Sequence, residues 1–150
     1  MLLMLGIVAV CAFPAASVAG PNGSDQGTMC VFTTQLSPQN EIRATNTSIA
    51  SGHAQIKVRN DGTIEFKYHI NNPAGEEFRA GHIHLAPAGV NGPVIQSIFV
   101  GGFTSASEIN EQGEVSNATL GQNICNNPEQ YYVNFHTATE PAGAIRGQLG

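Results

Sequence analysis

Positive charge is scarce in this chain. Six Lys and Arg stand against eleven Asp and Glu, a net charge of −5, and the few cations are scattered. A chain without a basic stripe is a poor match for a polyanion, so nucleic acid and an anionic membrane surface are not expected partners. Long helical periodicity is also missing: no segment keeps its apolar residues at a spacing near 3.6, which argues against a helical fold. There is no Gly-x-Ser-x-Gly elbow, the usual signature of a nucleophilic serine hydrolase. Beyond the first nineteen residues no apolar run is long enough to span a bilayer, and the C-terminus lacks the hydrophobic tail of a lipid-anchor signal, so no membrane anchor is expected. The three cysteines are too few and too far apart for a thiolate metal cluster.

What is present begins with an export signal. Residues 1–19 are almost wholly apolar, with a core of about twelve residues from Leu2 to Phe13 and a small-x-small end at Ser17-Val18-Ala19, as in a secretory signal peptide. Residues 20–28 read as a flexible, Gly-rich leader and residues 29–150 as one domain. The mature protein is therefore expected to be secreted. Cys11 leaves with the signal, so Cys30 and Cys125 remain. In an oxidising compartment they form one disulfide by default, the alternative being two free thiols. Asn46 and Asn117 head glycosylation sequons, as does Asn22.

The domain reads as short strands broken by turns. The expected strands are Met29–Leu36, His53–Arg59, Thr63–Ile70, Arg79–Leu85, Val94–Val100, two short strands within Ser107–Val115, Tyr131–Thr137 and Gly143–Leu149. Asn60-Asp61-Gly62 marks a hairpin, and Asn117 is placed to cap one or two helical turns. The fold class is all-β, an antiparallel Greek-key-like β-sandwich of about eight short strands.

Chemistry concentrates in His82-Ile83-His84 and in the C-terminal hairpin. Side chains two apart on a strand share one face, about 6.6 Å apart, so His82 and His84 project together. A hairpin with a five-residue loop over 138–142 sets Asn134 opposite Arg146. Asn134, His136, Arg146 and Gln148 then share a polar face, while Val133, Phe135, Ile145 and Leu149 face the core. Three imidazoles from two strands suit Cu or Zn and leave an open position. His69, on the outward face of its strand, is a candidate fourth ligand.

Two longer motifs carry a resemblance. Gly81-His82-Ile83-His84 with Gly89-Val90-Asn91-Gly92-Pro93-Val94, and Tyr132-Val133-Asn134-Phe135-His136-Thr137 with Pro141-Ala142-Gly143-Ala144-Ile145-Arg146-Gly147-Gln148-Leu149, resemble the CHRD (chordin-type) domain over roughly Val31 to Leu149. Members usually carry Glu-Val-Pro after the first strand; here Asn40-Glu41-Ile42-Arg43 stands in its place. The order of motifs is more distantly similar to the copper-zinc superoxide dismutases. That similarity implies a copper site at His82, His84 and His136, with Arg146 as the catalytic cation that guides a small anion such as superoxide. No bridging His, zinc-site Asp or long metal-binding loop accompanies it, so it implies copper alone. Arg146 is equally open to a structural role, paired with Glu140 or a C-terminal carboxylate. The competing reading is a non-catalytic extracellular module that binds protein or matrix, with structural histidines.

Overall fold

Eight strands form two four-stranded antiparallel sheets in the computed structural model, which describes residues 27–43 and 45–150. The expected signal peptide, most of the leader, Cys11 and Asn22 lie outside the described residues. The strands are β1 (Thr28–Leu36), β2 (Ser51–Arg59), β3 (Thr63–Asn71), β4 (Phe78–Leu85), β5 (Val94–Ser97), β6 (Glu108–Ser116), β7 (Tyr131–Thr137) and β8 (Ile145–Gln148). One sheet has the order β1-β2-β3-β6 and the other β5-β4-β7-β8. The chain changes sheet between β3 and β4, between β5 and β6, and again between β6 and β7, so the expected Greek-key-like sandwich is the fold observed.

Alternation builds the core. In β2 and β3, Ala54, Ile56, Val58, Ile64, Phe66 and Ile70 point inward and are buried, while Lys57, Glu65 and Lys67 point out. From the facing sheet come Ile83, Val133, Phe135 and Ile145, all buried. Gly62 closes the β2–β3 hairpin at φ +83°, a conformation that glycine adopts without a Cβ clash. A helix, α1 (Ala118–Asn126), is capped by the Asn117 side chain, which accepts from the Leu120 amide. Cys125 on α1 joins Cys30 on β1 in the disulfide.

Three boundaries differ from the sequence expectation. Ser107–Val115 is not two strands but part of one continuous strand, β6. Gly113 makes no turn there; it lies against the Phe66 ring, where a Cβ would fall 2.5 Å from Cζ. The strand expected over Val94–Val100 keeps its ladder only to Ser97, after which the chain is drawn toward the Tyr68 hydroxyl. The strand expected over Gly143–Leu149 starts at Ile145, because Gly143 sits at φ +134° against Glu41 and Asn134. The register and facing of that hairpin are as read, with Asn134 opposite Arg146.

One long connection positions the site. After β1 the chain bridges to β8, with Ser37 and Arg146 exchanging backbone hydrogen bonds of 3.1 Å each. It then crosses the outer face of the second sheet as a strap, residues 38–43 and 45–50 among those described. Arg43 pairs with Glu140 at 2.6 Å, Asn46 donates to the Ala144 carbonyl at 3.0 Å, and Ser48 donates to Glu76 at 2.7 Å. The strap covers part of the polar face and leaves Asn134 and Arg146 only 2% exposed each.

The Cys30–Cys125 bridge spans 95 residues of sequence, which on the chain-entropy account is worth up to about 4–5 kcal/mol. The double variant Cys30→Ser/Cys125→Ser should stay folded at 25 °C with a denaturation midpoint lowered to match a loss of that order. A shift under about 1 kcal/mol would show that the bridge adds little to the packing of α1 on β1.

Candidate metal centre

Strand pairing brings the three histidines together. β4 and β7 are antiparallel, with His82 opposite Asn134, His84 opposite Tyr132 and Ala80 opposite His136. His136 is thus the diagonal neighbour of His82, within side-chain reach on one face. One ring nitrogen from each of His82, His84 and His136 lies within 4.8 Å of the other two. Two nitrogens on one tetrahedral Zn or Cu lie about 3.3 Å apart, given bonds of about 2.0–2.1 Å. The group therefore needs to close by on the order of 1 Å. His69 stands apart from it. It lies on β3 in the other sheet, with Nδ1 2.8 Å from Asn110 Oδ1 and Nε2 3.5 Å from Glu108, beside the His53 ring. The two sheets put the core between His69 and the cluster, so it is not a fourth ligand.

Backbone carbonyls set the protons. His84 Nδ1 lies 3.0 Å from the Gly92 carbonyl and His136 Nδ1 3.1 Å from the Pro141 carbonyl. A carbonyl only accepts, so each Nδ1 carries a hydrogen and each Nε2 a lone pair. His136 Nε2 is 3.0 Å from His82 Nδ1, which donates to it. His84 Nε2 is buried and has no partner. The Asn134 Oδ1 next to it on this face is likewise a buried acceptor without a donor. The face thus holds two buried acceptors without donors and, behind each of two rings, a Nδ1–H···carbonyl bond that fixes the ring's orientation.

The site favours neutral imidazole. Burial lowers all three histidine pKa values. His136 falls from 6.5 to about 4, through burial first and then the neighbouring His82. For His84 burial acts first, the Gly92 hydrogen bond opposes it, and the Arg146 charge lowers the value further. Neutral rings are the ligand form.

Arg146 reaches the cluster through a ring. Its guanidinium carbon sits 3.4 Å over the Tyr132 centroid. The His84 ring stacks on Tyr132 at 4.6 Å and 13°. The two groups come from β8 and β4, on either side of β7, so Tyr132 is sandwiched between them. Arg146 does not pair with Glu140, which is held by Arg43 and Thr47. Its contacts are Asn91 Oδ1 at 3.4 Å, the Pro87 carbonyl at 3.3 Å and Gln148 Oε1 at 3.4 Å. Sequence reasoning did not find Tyr132 or Glu41 as parts of this face. Glu41 comes down from the strap to accept from Asn134 Nδ2 at 2.5 Å, and burial raises its pKa to about 7. Its position after β1, where Glu-Val-Pro is usual, was the available signal.

Of the sequon residues, Asn46 has its Nδ2 committed to Ala144, whereas Asn117 uses only Oδ1 for its cap.

These protonation states are measurable. Imidazole ¹⁵N spectra of the metal-free protein at pH 7 should show His84 and His136 as neutral Nδ1–H tautomers, with His136 uncharged down to about pH 4. Because the folded value lies below the unfolded 6.5, His136 supports the fold fully above about pH 6.5 and loses that support as pH falls through about 4. Glu41, raised from 4.5 to about 7, has the opposite sign: its contribution is complete below about 4.5 and is lost as pH rises through 7. An Nε2–H tautomer at His84 would contradict the Gly92 hydrogen bond.

Residues 32–149 match the family model of the CHRD domain. No curated protein and no solved structure matches the chain, so the similarity to the copper-zinc superoxide dismutases gains no support from these comparisons.

Proposed function

The chain belongs to the CHRD domain family, and from that premise we propose that it acts as a secreted domain holding one copper ion, or zinc in its place, on His82, His84 and His136. The observation that carries this reading is the convergence of one ring nitrogen from each of the three histidines within 4.8 Å of the others, beside a buried, unpartnered Nε2 of His84. The donor set is all imidazole, which suits Cu and Zn rather than Ca or Mg. Secretion is supported by the apolar residues 1–19 and by the disulfide.

Each residue has a defined task. His84 and His136 present Nε2, oriented by Gly92 and Pro141. His82 gives up its hydrogen bond to His136 and moves its proton to Nε2 so that Nδ1 can bind. Arg146 supplies a fixed positive charge one ring away from His84, favouring the approach of a small anion. Copper held there would supply one-electron exchange between Cu(II) and Cu(I), the chemistry of superoxide dismutation. The second reading, a non-catalytic module binding an extracellular protein, is favoured by three exposed apolar side chains beside His84: Leu85, Val90 and Val94.

Copper titration of the full exported protein should saturate at one ion per chain, with electron paramagnetic resonance showing nitrogen hyperfine coupling. His84→Ala and His136→Ala should each weaken binding by at least about 100-fold, since losing even a supporting residue costs about 10–100-fold. Unchanged copper stoichiometry in His84→Ala would remove the site. If the copper-loaded protein shows no superoxide turnover above free copper, the metal is carried and not used for that reaction.

A further inference from the structure

The cleft beside the strap holds a cation without a close ion pair, and we propose that it binds a hydroxylated carboxylate with Arg146 as the anchor. This goes beyond the metal reading and needs no metal. Three arginines in the described residues already face carboxylates: Arg43 meets Glu140 at 2.6 Å, Arg59 meets Glu65 at 3.1 Å, and Arg79 meets Glu77. Arg146 is the most buried of the four, yet among the described residues no carboxylate lies within 4 Å of it, and Glu41 acts on its charge only from beyond that distance. Its three polar contacts, at 3.3–3.4 Å, go to neutral oxygens. Charge-assisted bonds are shorter, about 2.7–2.9 Å, and a buried cation without an anion is costly. The missing counter-ion is the ligand.

The cleft is shaped for one. Its volume is about 960 Å³ and its lining includes Gln35, Gln39, Glu41, Arg43, Arg146 and Gln148. That size lies in the range of small-molecule sites, about 300–1,000 Å³. Tyr132 covers one face of the guanidinium, so a planar fork is held ready for a planar anion. Only one cation is available, because Arg43 is spent on Glu140, the Thr45 carbonyl and the Gly143 carbonyl. Glu41 on the wall and the net charge of −5 disfavour a dianion such as phosphate or sulfate. Amide side chains on the walls suit hydroxyl groups, which both donate and accept. The chemistry fits a free hydroxy acid or a uronate unit of an acidic polysaccharide.

The test uses the full exported chain, stripped of metal, at fixed ionic strength. Amide and Arg Nε–H correlations are followed while D-glucuronate, an oligogalacturonate, glucose or sulfate is added. Glucuronate should shift the signals of residues 34–43, 88–89 and Arg146 saturably, while glucose should not, and sulfate should bind at least about tenfold more weakly. Arg146→Lys keeps the charge but loses the fork and should weaken binding about tenfold or more. Gln39→Ala, on the exposed part of the strap, should weaken it about threefold, and it keeps the test open if Arg146→Lys does not fold. Tighter binding of the oligomer assigns the site to polysaccharide and equal binding to the free acid; both support it. Shifts scattered over the surface, binding of glucose as strong as of glucuronate, or undiminished binding by folded Arg146→Lys would overturn it. Because no metal is present, either result leaves the three-histidine reading to its own test.

Discussion

Two backbone carbonyls, those of Gly92 and Pro141, decide what the polar face can do. Each takes the Nδ1 hydrogen of a histidine and so leaves the lone pair on Nε2. Without them the rings would be free to rotate and to trade tautomers, and three imidazoles on adjacent strands would be a surface cluster. Both carbonyls belong to loops rich in Pro and Gly. Gly92 tolerates no side chain, since a Cβ there would lie 2.0 Å from the Leu85 carbonyl oxygen. The loops therefore serve as rigid acceptors held by the sheet, not as loose connectors.

The same face is made unequal by the strap. One end, at Asn134 and Arg146, is roofed by the strap, while His82 and His136 at the other end remain half-exposed. The Arg146–Tyr132–His84 stack runs between these ends. It places a permanent charge close enough to lower the basicity of His84, yet screens it from direct contact with the cluster. Charge on one side and lone pairs on the other are thus joined through one aromatic ring.

Strand alternation made most of the fold legible in the sequence. Odd and even residues of β7 and β8 segregate so cleanly that the Asn134–Arg146 register followed from turn length and facing alone. The same rule put His82 and His84 on one face and His136 on the polar face of its hairpin, while the pairing of β4 with β7 that joins them is seen only in the structure. Turn residues misled where glycine served packing: Gly113 reads as a break but accommodates the Phe66 ring inside a continuous strand. His69 was ambiguous because periodicity gives the face of a strand and not the sheet it joins. The strap was the least legible part. Its sequence has no period, and its placement comes from single long-range bonds, such as Arg43 to Glu140 and Asn46 to Ala144, that no local pattern encodes.

The backbone exchange between Ser37 and Arg146 has a consequence for self-association at high concentration. A sandwich of two open sheets has four edges, each a template for unwanted pairing with another molecule. Here the borders at β1 and β8 meet one another through that seam. Of the remaining two, β5 is only four residues long, and β6 carries Glu108, Glu111 and Glu114. Partial closure, brevity and like-charge repulsion shorten the open borders of the described sheets on which a fibril could grow.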